Sequence, residues 1–187
     1  MTVASPGVEA RGPLYTAEDL WALPRQERFE LIEGRLTAMS PTGDGHGART
    51  MRLSAYLTIH ILDQRLGEVF SAETGFLLAR NPDVVLAPDF AFVTNAKLTF
   101  ARGFGFAAVV PDLVLETRSP SDRRPDITAK VKRWLYHGVA VVLDADPQER
   151  TITVHRRNAL PVTLGVDDTL TLPDLLPGFS LPLARVF

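Results

Sequence analysis

Three charged residues stand out because their types and spacing could support metal-dependent chemistry on a phosphate. Asp89 follows Pro88, Glu116 follows the apolar run 113–115, and Lys130 lies on a predicted helix. Two carboxylates on neighbouring strands, with a cation beside them, are what a protein needs to hold a hard divalent ion next to a phosphodiester. The elements that carry these side chains must therefore bring them together.

Glu116 lies near the end of a strand predicted over residues 107–117. Because successive strand residues point to opposite faces, Glu116 and Arg118 share one face. At a rise of about 3.3 Å per residue, these two side chains lie roughly 6.5 Å apart. They either share a metal–water–phosphate site or form an ordinary cross-sheet ion pair, and the strand by itself favours neither interpretation.

Lys130 is one of only three lysines in the chain, and its position is unusual. On the helix predicted to end at His137, it lies three residues after Ile127, within a stripe that should face the core. Its ammonium either extends to water or pairs with a carboxylate, because an unpaired charge in apolar surroundings is costly. Glu116 is the expected partner, since a helix that follows its strand by a short loop packs back across the sheet.

Asp89 lies inside the apolar run 84–93, which is predicted to be one strand around Pro88. An ionised group on a buried strand needs a partner or a metal, although Asp89 could instead cap a bulge beside the proline. Asp112 also follows a proline, but it lies four strand residues, roughly 13 Å, from Glu116. Asp89 is therefore the preferred second metal ligand.

The remaining pattern mixes helices and strands. A capping box at Thr16 opens a short helix bounded by Pro24, and a hairpin turns at Gly34. The longest helix is predicted from about residue 46 to 66, and a further strand over residues 69–78. This order predicts an α/β or α+β fold with a mixed or antiparallel central sheet.

Composition indicates one domain. The chain has 187 residues, of which 45% are hydrophobic and 22% charged. Residues 1–13 are predicted to be a loose lead-in, which leaves a single domain over 14–187. We expect no membrane association and a cytoplasmic location, because no apolar run approaches about 20 residues and no leader pattern opens the chain. The net charge of -2 argues against a strongly basic surface that encloses nucleic acid.

Two kinds of site are disfavoured by composition. The absence of cysteine excludes disulfides, thiolate zinc sites and cysteine nucleophiles. The four histidines show no His-x-x-x-His spacing and no neighbouring acid in a ligand pattern, so a zinc hydrolase is a poor interpretation. Hard oxygen ligands remain the better basis for a metal site.

Short motifs spread over most of the chain are Arg28-Phe-Glu30-Leu-Ile-Glu-Gly34, Met39-Ser-Pro41, His46, Ala87-Pro88-Asp89, Pro111-Asp-Leu-Val-Leu-Glu116, Ser119-Pro120-Ser121 and Lys130 before Gly138-Val139. Their order and spacing resemble the Uma-type family of restriction-endonuclease-like proteins, a branch of the PD-(D/E)XK nuclease superfamily. The specificity of this resemblance comes from the set as a whole and not from any single motif.

The resemblance implies a restriction-endonuclease-like fold, with a central mixed β-sheet flanked by helices. It also implies that Asp89 and Glu116 bind Mg²⁺, for which Mn²⁺ could substitute. The lysine of the superfamily motif normally follows the glutamate by two residues, and here Lys130 would supply it from the helix. Arg118 occupies the usual lysine position, but it is always charged and cannot accept a proton.

Two further positions match the family. Glu30 is interpreted either as an auxiliary acid of the site or as a surface carboxylate on an edge strand. His46, at the start of the long helix, is more typical of a packing or capping residue than of a catalytic base.

The function implied is Mg²⁺-dependent hydrolysis of nucleic-acid phosphodiesters, with DNA as the expected substrate. The alternative is a non-catalytic nuclease-fold module for dimerisation or nucleic-acid binding, in which the acids and Lys130 form a salt bridge. The acidic charge and the lack of a separate recognition motif favour that alternative over a sequence-specific enzyme. We expect a homodimer or higher homo-oligomer, and the apolar tail 170–187 either seals the core or builds its interface.

Overall fold

The computed structural model of the protein describes residues 12–24, 28–39, 44–98 and 105–187. Within these ranges the helices are α1 (Ala17–Ala22), α2 (Asp44–Asp63) and α3 (Arg124–Tyr136). The strands are β1 (Phe29–Ile32), β2 (Arg35–Ala38), β3 (Gly67–Ser71), β4 (Phe76–Ala79), β5 (Val84–Leu86), β6 (Phe90–Thr94), β7 (Leu113–Thr117), β8 (Val141–Asp146), β9 (Thr151–Arg156), β10 (Val162–Leu164), β11 (Thr169–Leu172) and β12 (Leu176–Pro182). None of the helices in these ranges has the length and apolar character needed to cross a bilayer.

The strands form three sheets. The largest has the order β10-β9-β8-β7-β6-β3, the second has the order β2-β1-β5-β4, and β11 pairs with β12. In the largest sheet β7 and β8 are parallel, whereas the other neighbours are antiparallel. Helix α3 is the crossover between the two parallel strands, which cannot be joined by a tight turn. The predicted mixed sheet with flanking helices is therefore confirmed.

Two segments predicted as single strands are each divided between the two larger sheets. Residues 69–78 fall on β3 and β4, and residues 84–93 fall on β5 and β6. In the second segment Pro88 has no N–H to donate to a ladder, and the chain leaves one sheet and enters the other at residues 87–89. The sequence of an apolar run does not indicate which sheet its residues join. Both segments were therefore wrongly predicted to be single strands.

The strand predicted over 107–117 is shorter than expected. Ala107 forms only an isolated bridge with Phe76, and strand β7 begins at Leu113. Pro111 precedes that strand and lacks a backbone donor, which is consistent with a late start of the ladder.

Local sequence signals correctly predicted the start of α1 and the turn between β1 and β2. The Asp19 N–H donates to Thr16 Oγ1 over 3.1 Å, and the Thr16 N–H donates to the Asp19 carboxylate over 2.8 Å, as a capping box requires. Gly34 has a φ of 74° in the β1–β2 turn, where a left-handed conformation suits glycine. Residues 1–11 of the expected lead-in, and the Ser40-Pro41 part of the motif set, lie outside the described residues.

Apolar layers cover both faces of the six-stranded sheet. On one face α2 packs through Leu57 and Ile61 together with the β11–β12 hairpin, in which Leu170 and Phe179 are buried. On the other face α3 contributes Val131 and other apolar side chains. The apolar tail is therefore part of the core, which is one of the two interpretations that its sequence allowed.

Leu170→Ala should lower the free energy of unfolding by about 2–5 kcal/mol, because it leaves a cavity where the tail seals the sheet. The matched control is Leu160→Ala, since Leu160 is 89% exposed, and it should change stability by less than about 0.5 kcal/mol. Urea denaturation followed by circular dichroism measures both. Equal, small effects would show that the tail does not stabilise the core.

Candidate active site

Helix α3 brings Lys130 to Glu116, as its position in the apolar stripe predicted. The Lys130 Nζ atom lies 2.9 Å from Glu116 Oε2, and the lysine side chain is 23% exposed. Val131, on the same helix, is buried in the cluster that covers this face of the sheet. The helix thus holds the ammonium over the end of β7, and the expected pairing of the two residues is confirmed.

Glu30 is the second carboxylate bound to this lysine. Glu30 Oε1 lies 3.1 Å from Lys130 Nζ and also accepts a hydrogen bond of 3.1 Å from the Ala87 N–H. Strand β1 runs between β2 and β5, and Glu30 is only 6% exposed. Its interpretation as a surface carboxylate on an edge strand is therefore wrong, and the alternative of an acid close to the site agrees with this geometry.

Trp134 of α3 is a further site residue, which the sequence analysis did not identify. Its indole Nε1–H donates to Glu116 Oε1 over 2.7 Å, while the ring itself is fully buried. Because tryptophan is both apolar and a donor, it packs against the sheet and satisfies one carboxylate oxygen at once. The signal available in the sequence was its position on the same helix face, four residues after Lys130.

Asp89 is fixed to the peptides on both sides of Glu116. Its N–H donates to Leu115 O over 3.0 Å, and its Oδ2 accepts from the Thr117 N–H over 2.7 Å. Asp89 immediately precedes β6, which pairs directly with β7. The two carboxylates predicted to bind metal therefore stand at the same end of adjacent strands, as expected.

His46 contacts Asp89 from the first turns of α2. The His46 Nε2 atom lies 3.2 Å from Asp89 Oδ2, and the imidazole side chain is only 7% exposed. The hydrogen bond with Asp89 raises the pKa of His46, burial opposes this change, and the negative charge of Asp89 adds to the increase. His46 therefore belongs to the site through Asp89 and is not only a packing residue at a helix end.

Arg118 does not join this cluster. Its Nε–H donates to Asp144 Oδ1 over 2.8 Å, and its Nη1 lies 2.9 Å from Asp146 Oδ2. Both aspartates lie on β8, so the ion pair crosses between neighbouring strands. Arg118 thus forms a cross-strand ion pair, but with the two aspartates of β8 and not with Glu116, and any contact of Arg118 with substrate stays a prediction.

Asp112, the alternative to Asp89 as a metal ligand, forms its contacts outside this site. Its carboxylate lies 2.7 Å from Lys97 Nζ and accepts a hydrogen bond of 2.8 Å from the Thr94 N–H. It lies at the opposite end of β7 from Glu116, which agrees with its rejection as a ligand on distance.

The site carries more negative than positive charge. Burial raises the pKa of Glu116 to about 7, the charges of Glu30 and Asp89 add to this increase, and Lys130 opposes it. The pKa of Lys130 is also raised, because the attraction of Glu116 and Glu30 outweighs the opposing effect of burial. One ammonium thus contacts two carboxylates, Glu30 and Glu116, and the negative charge of Asp89 lies close to them.

The donor chemistry fits a hard divalent ion. Asp89 and Glu116 supply carboxylate oxygens, the ligand type that Mg²⁺ prefers. The described residues contain no group of three or more histidine, aspartate or glutamate side chains arranged to hold a metal. An ion held by these two carboxylates would complete its coordination with water or phosphate, as Mg²⁺ commonly does.

The six-stranded mixed sheet, with these carboxylates on adjacent strands and α3 as the crossover, is a restriction-endonuclease-like fold. It is similar to the crystal structure of a "putative nuclease belonging to DUF820" from Anabaena variabilis ATCC 29413, with a TM-score of 0.78 at 21% sequence identity, covering 92% of this chain and 97% of that one. The Uma2 family, described as "Putative restriction endonuclease", matches residues 17–184, and the chain belongs to this family. No curated protein matches the chain.

Lys130→Met should lower the free energy of unfolding by about 3–5 kcal/mol at pH 8, because it leaves buried carboxylates without their cation. The penalty should shrink at pH 5. Glu116 has a raised pKa in the folded protein, so the folded state takes up this proton at a higher pH than the unfolded state does. Protonation of Glu116 therefore stabilises the folded state at low pH, and this stabilisation is lost as pH rises through about 7.

The matched control is Lys132→Met, because Lys132 is exposed on the same helix. It should change stability by less than about 0.5 kcal/mol at either pH. Urea denaturation of the three proteins at pH 5 and pH 8 measures these differences. A Lys130→Met penalty that is small, or equal at both pH values, would show that the ion pair does not hold the site together.

Proposed function

We propose that this protein is a Mg²⁺-dependent endonuclease that hydrolyses phosphodiester bonds of DNA. Membership of the Uma2 family supports a nuclease. The observation that carries the proposal further is the position of Lys130 Nζ, 2.9 Å from Glu116, at the strand end where Asp89 also stands. Two carboxylates and one lysine at a single strand end form the minimum set for metal-assisted attack on a phosphate.

Asp89 and Glu116 would hold the Mg²⁺ ion, and Mn²⁺ could replace it. When bound, such an ion lowers the pKa of a coordinated water and neutralises charge that builds up on the scissile phosphate. The backbone N–H of Thr117 and the ring of His46 orient the Asp89 carboxylate from two directions. This support keeps the ligand in place before any cation arrives.

Lys130 would orient the attacking water and stabilise the transition state with its charge. Glu30 would act as an auxiliary acidic residue in this scheme. Its carboxylate favours the charged form of the Lys130 ammonium and restricts the position of that group. Trp134 fixes the opposite oxygen of Glu116. Arg118 would assist by contacting a phosphate oxygen, for which it must exchange its contact with Asp146.

A second candidate function is a nuclease-fold module that binds nucleic acid or forms a homodimer without catalysis. One specific observation favours it: both oxygens of Glu116 have a donor, from Lys130 and from Trp134. In that case the carboxylates serve only to fasten α3 to the sheet. The two functions differ in whether the site takes up a divalent ion, which can be measured directly.

Calorimetric titration of Mg²⁺ and Mn²⁺ should detect a binding event in the wild type that is lost in the Asp89→Asn, Glu116→Gln double variant. Both substitutions preserve the shape of the side chain and one acceptor oxygen while removing the charge that a cation requires. The matched control is Asp112→Asn, which alters a buried aspartate held by Lys97 and should bind metal as the wild type does. Absence of binding in the wild type, with and without DNA, would favour the non-catalytic module.

Cleavage of plasmid and oligonucleotide DNA should require Mg²⁺ or Mn²⁺. Asp89→Asn, Glu116→Gln and Lys130→Met should each reduce its rate at least about 100-fold, because each removes a charge used in the transition state. Circular dichroism at the assay temperature verifies that the variants are folded. Lys132→Met is again the control, and cleavage by any of the three site variants at the wild-type rate would remove that residue from the mechanism.

A further inference from the structure

A groove of about 540 Å³ lies between α2 and β3 and opens beside Asp89. Its wall on α2 includes the polar residues His46, Thr50, Ser54 and Thr58, with Gly47 and Met51 beside them. The polar residues are spaced four apart, so they form one stripe along the helix. Helix α2 thus presents a polar stripe where the hydrophobic pattern of a core helix would predict apolar side chains. We call this space the α2–β3 groove.

Three polar atoms along this stripe are buried and have no hydrogen-bond partner within the described part of the chain: His46 Nδ1, Thr50 Oγ1 and Ser54 Oγ. Hydroxyls on a helix commonly bond back to the carbonyl four residues earlier, and these two do not. Since buried polar atoms in native proteins are nearly always paired, these three atoms can pair with polar groups, of water or of a ligand, that enter the groove.

The facing wall is apolar except for Ser71. Val69 from β3 and Phe90 from β6 line the groove, with Met39 and Met51 at its edges. Met51 is 67% exposed although it is a large apolar side chain. A groove with hydrogen-bonding groups on one side and apolar groups on the other suits a planar heteroaromatic ring, which has polar edges and apolar faces.

The position and size of the groove restrict the ligand further. Asp89 lines the groove directly, so a ligand in it lies next to the proposed scissile phosphate. Arg28, whose side chain is 49% exposed, also lines the groove and can meet a phosphate. The volume lies within the roughly 300–1,000 Å³ range of small-molecule pockets and is too small to admit a duplex.

We propose that the α2–β3 groove binds one unpaired nucleotide of the substrate strand, with its base between the polar stripe of α2 and the apolar wall. This inference rests on the proposed nuclease function for the identity of the ligand. It makes single-stranded DNA, or a strand locally opened from a duplex, the substrate class of the site, since a base must leave its stack to enter the groove.

The test is fluorescence anisotropy with a labelled DNA single strand of roughly 12 nucleotides, and with the matching duplex, in the absence of divalent ions. The wild type should bind the single strand at least about fivefold more tightly than the duplex. Thr50→Phe fills the groove and should weaken single-strand binding at least about tenfold, consistent with the loss of one stacked base. Thr50→Val keeps the shape but removes the hydroxyl and should weaken it about threefold.

The matched control is Thr128→Phe, because Thr128 is an exposed threonine on α3. It should leave the affinity unchanged within about twofold. Unfolding midpoints identify any variant that fails to fold, and Thr50→Val keeps the inference testable if Thr50→Phe does. Equal binding of single strand and duplex, or single-strand binding that neither Thr50 variant weakens, would overturn the inference.

Metal titration and cleavage assays on the same proteins separate this inference from the proposed function. If the wild type takes up Mg²⁺ and cuts DNA while the Thr50 variants bind single strands normally, the nuclease function is supported and nucleotide binding in the groove is contradicted. If the wild type takes up no metal and cuts no DNA, but binds single strands and Thr50→Phe abolishes this binding, nucleotide binding in the groove is supported and the nuclease function is contradicted.

Discussion

The buried ion pair between Lys130 and Glu116 is the interaction on which the arrangement of the site depends. Lys130 belongs to α3, Glu116 to the six-stranded sheet and Glu30 to the four-stranded sheet, so one ammonium joins three elements. Trp134 adds a hydrogen bond from the same helix. A charge buried in this way is costly unless it is fully paired, and the pairing is available only when all three elements are in place. The cluster therefore couples the position of the helix to the positions of both sheets.

The short segment from Ala87 to Asp89 extends this coupling to the second proposed ligand. It passes from the four-stranded sheet to the six-stranded one, and each of its ends is held by the site. The Ala87 N–H donates to Glu30, and the Asp89 carboxylate accepts from the Thr117 N–H. Pro88, between them, needs no hydrogen bond for its nitrogen and limits the conformations of the crossing. The residues that break the strand pattern are thus the ones that position Asp89.

Much of this site could be predicted from local pattern, and the remainder depended on contacts distant in sequence. A lysine within an apolar helical stripe needs a carboxylate partner, and the strand before the helix carries one. The pairing of Lys130 with Glu116 could therefore be predicted from the sequence. The partners of Arg118 were not, because Asp144 and Asp146 lie on a strand beyond the crossover. The division of residues 84–93 between two sheets was likewise hidden, since both parts are buried and apolar. Local sequence specifies periodicity and caps, whereas sheet membership is decided by the assembled fold.

The charge balance of the site supports the proposal that a cluster closed by salt bridges binds a cation. Asp89, Glu116 and Glu30 carry three negative charges when ionised, and Lys130 supplies one positive charge. Two negative charges remain uncompensated in a largely buried position when His46 is neutral, and one remains when His46 is protonated. The fold satisfies part of this excess through the Thr117 amide and the Trp134 indole, and part through the raised pKa of Glu116. A divalent cation would compensate the remainder and make a proton on Glu116 unnecessary, so the neighbouring carboxylates, which add to the effect of burial on this pKa, would also favour the proposed metal.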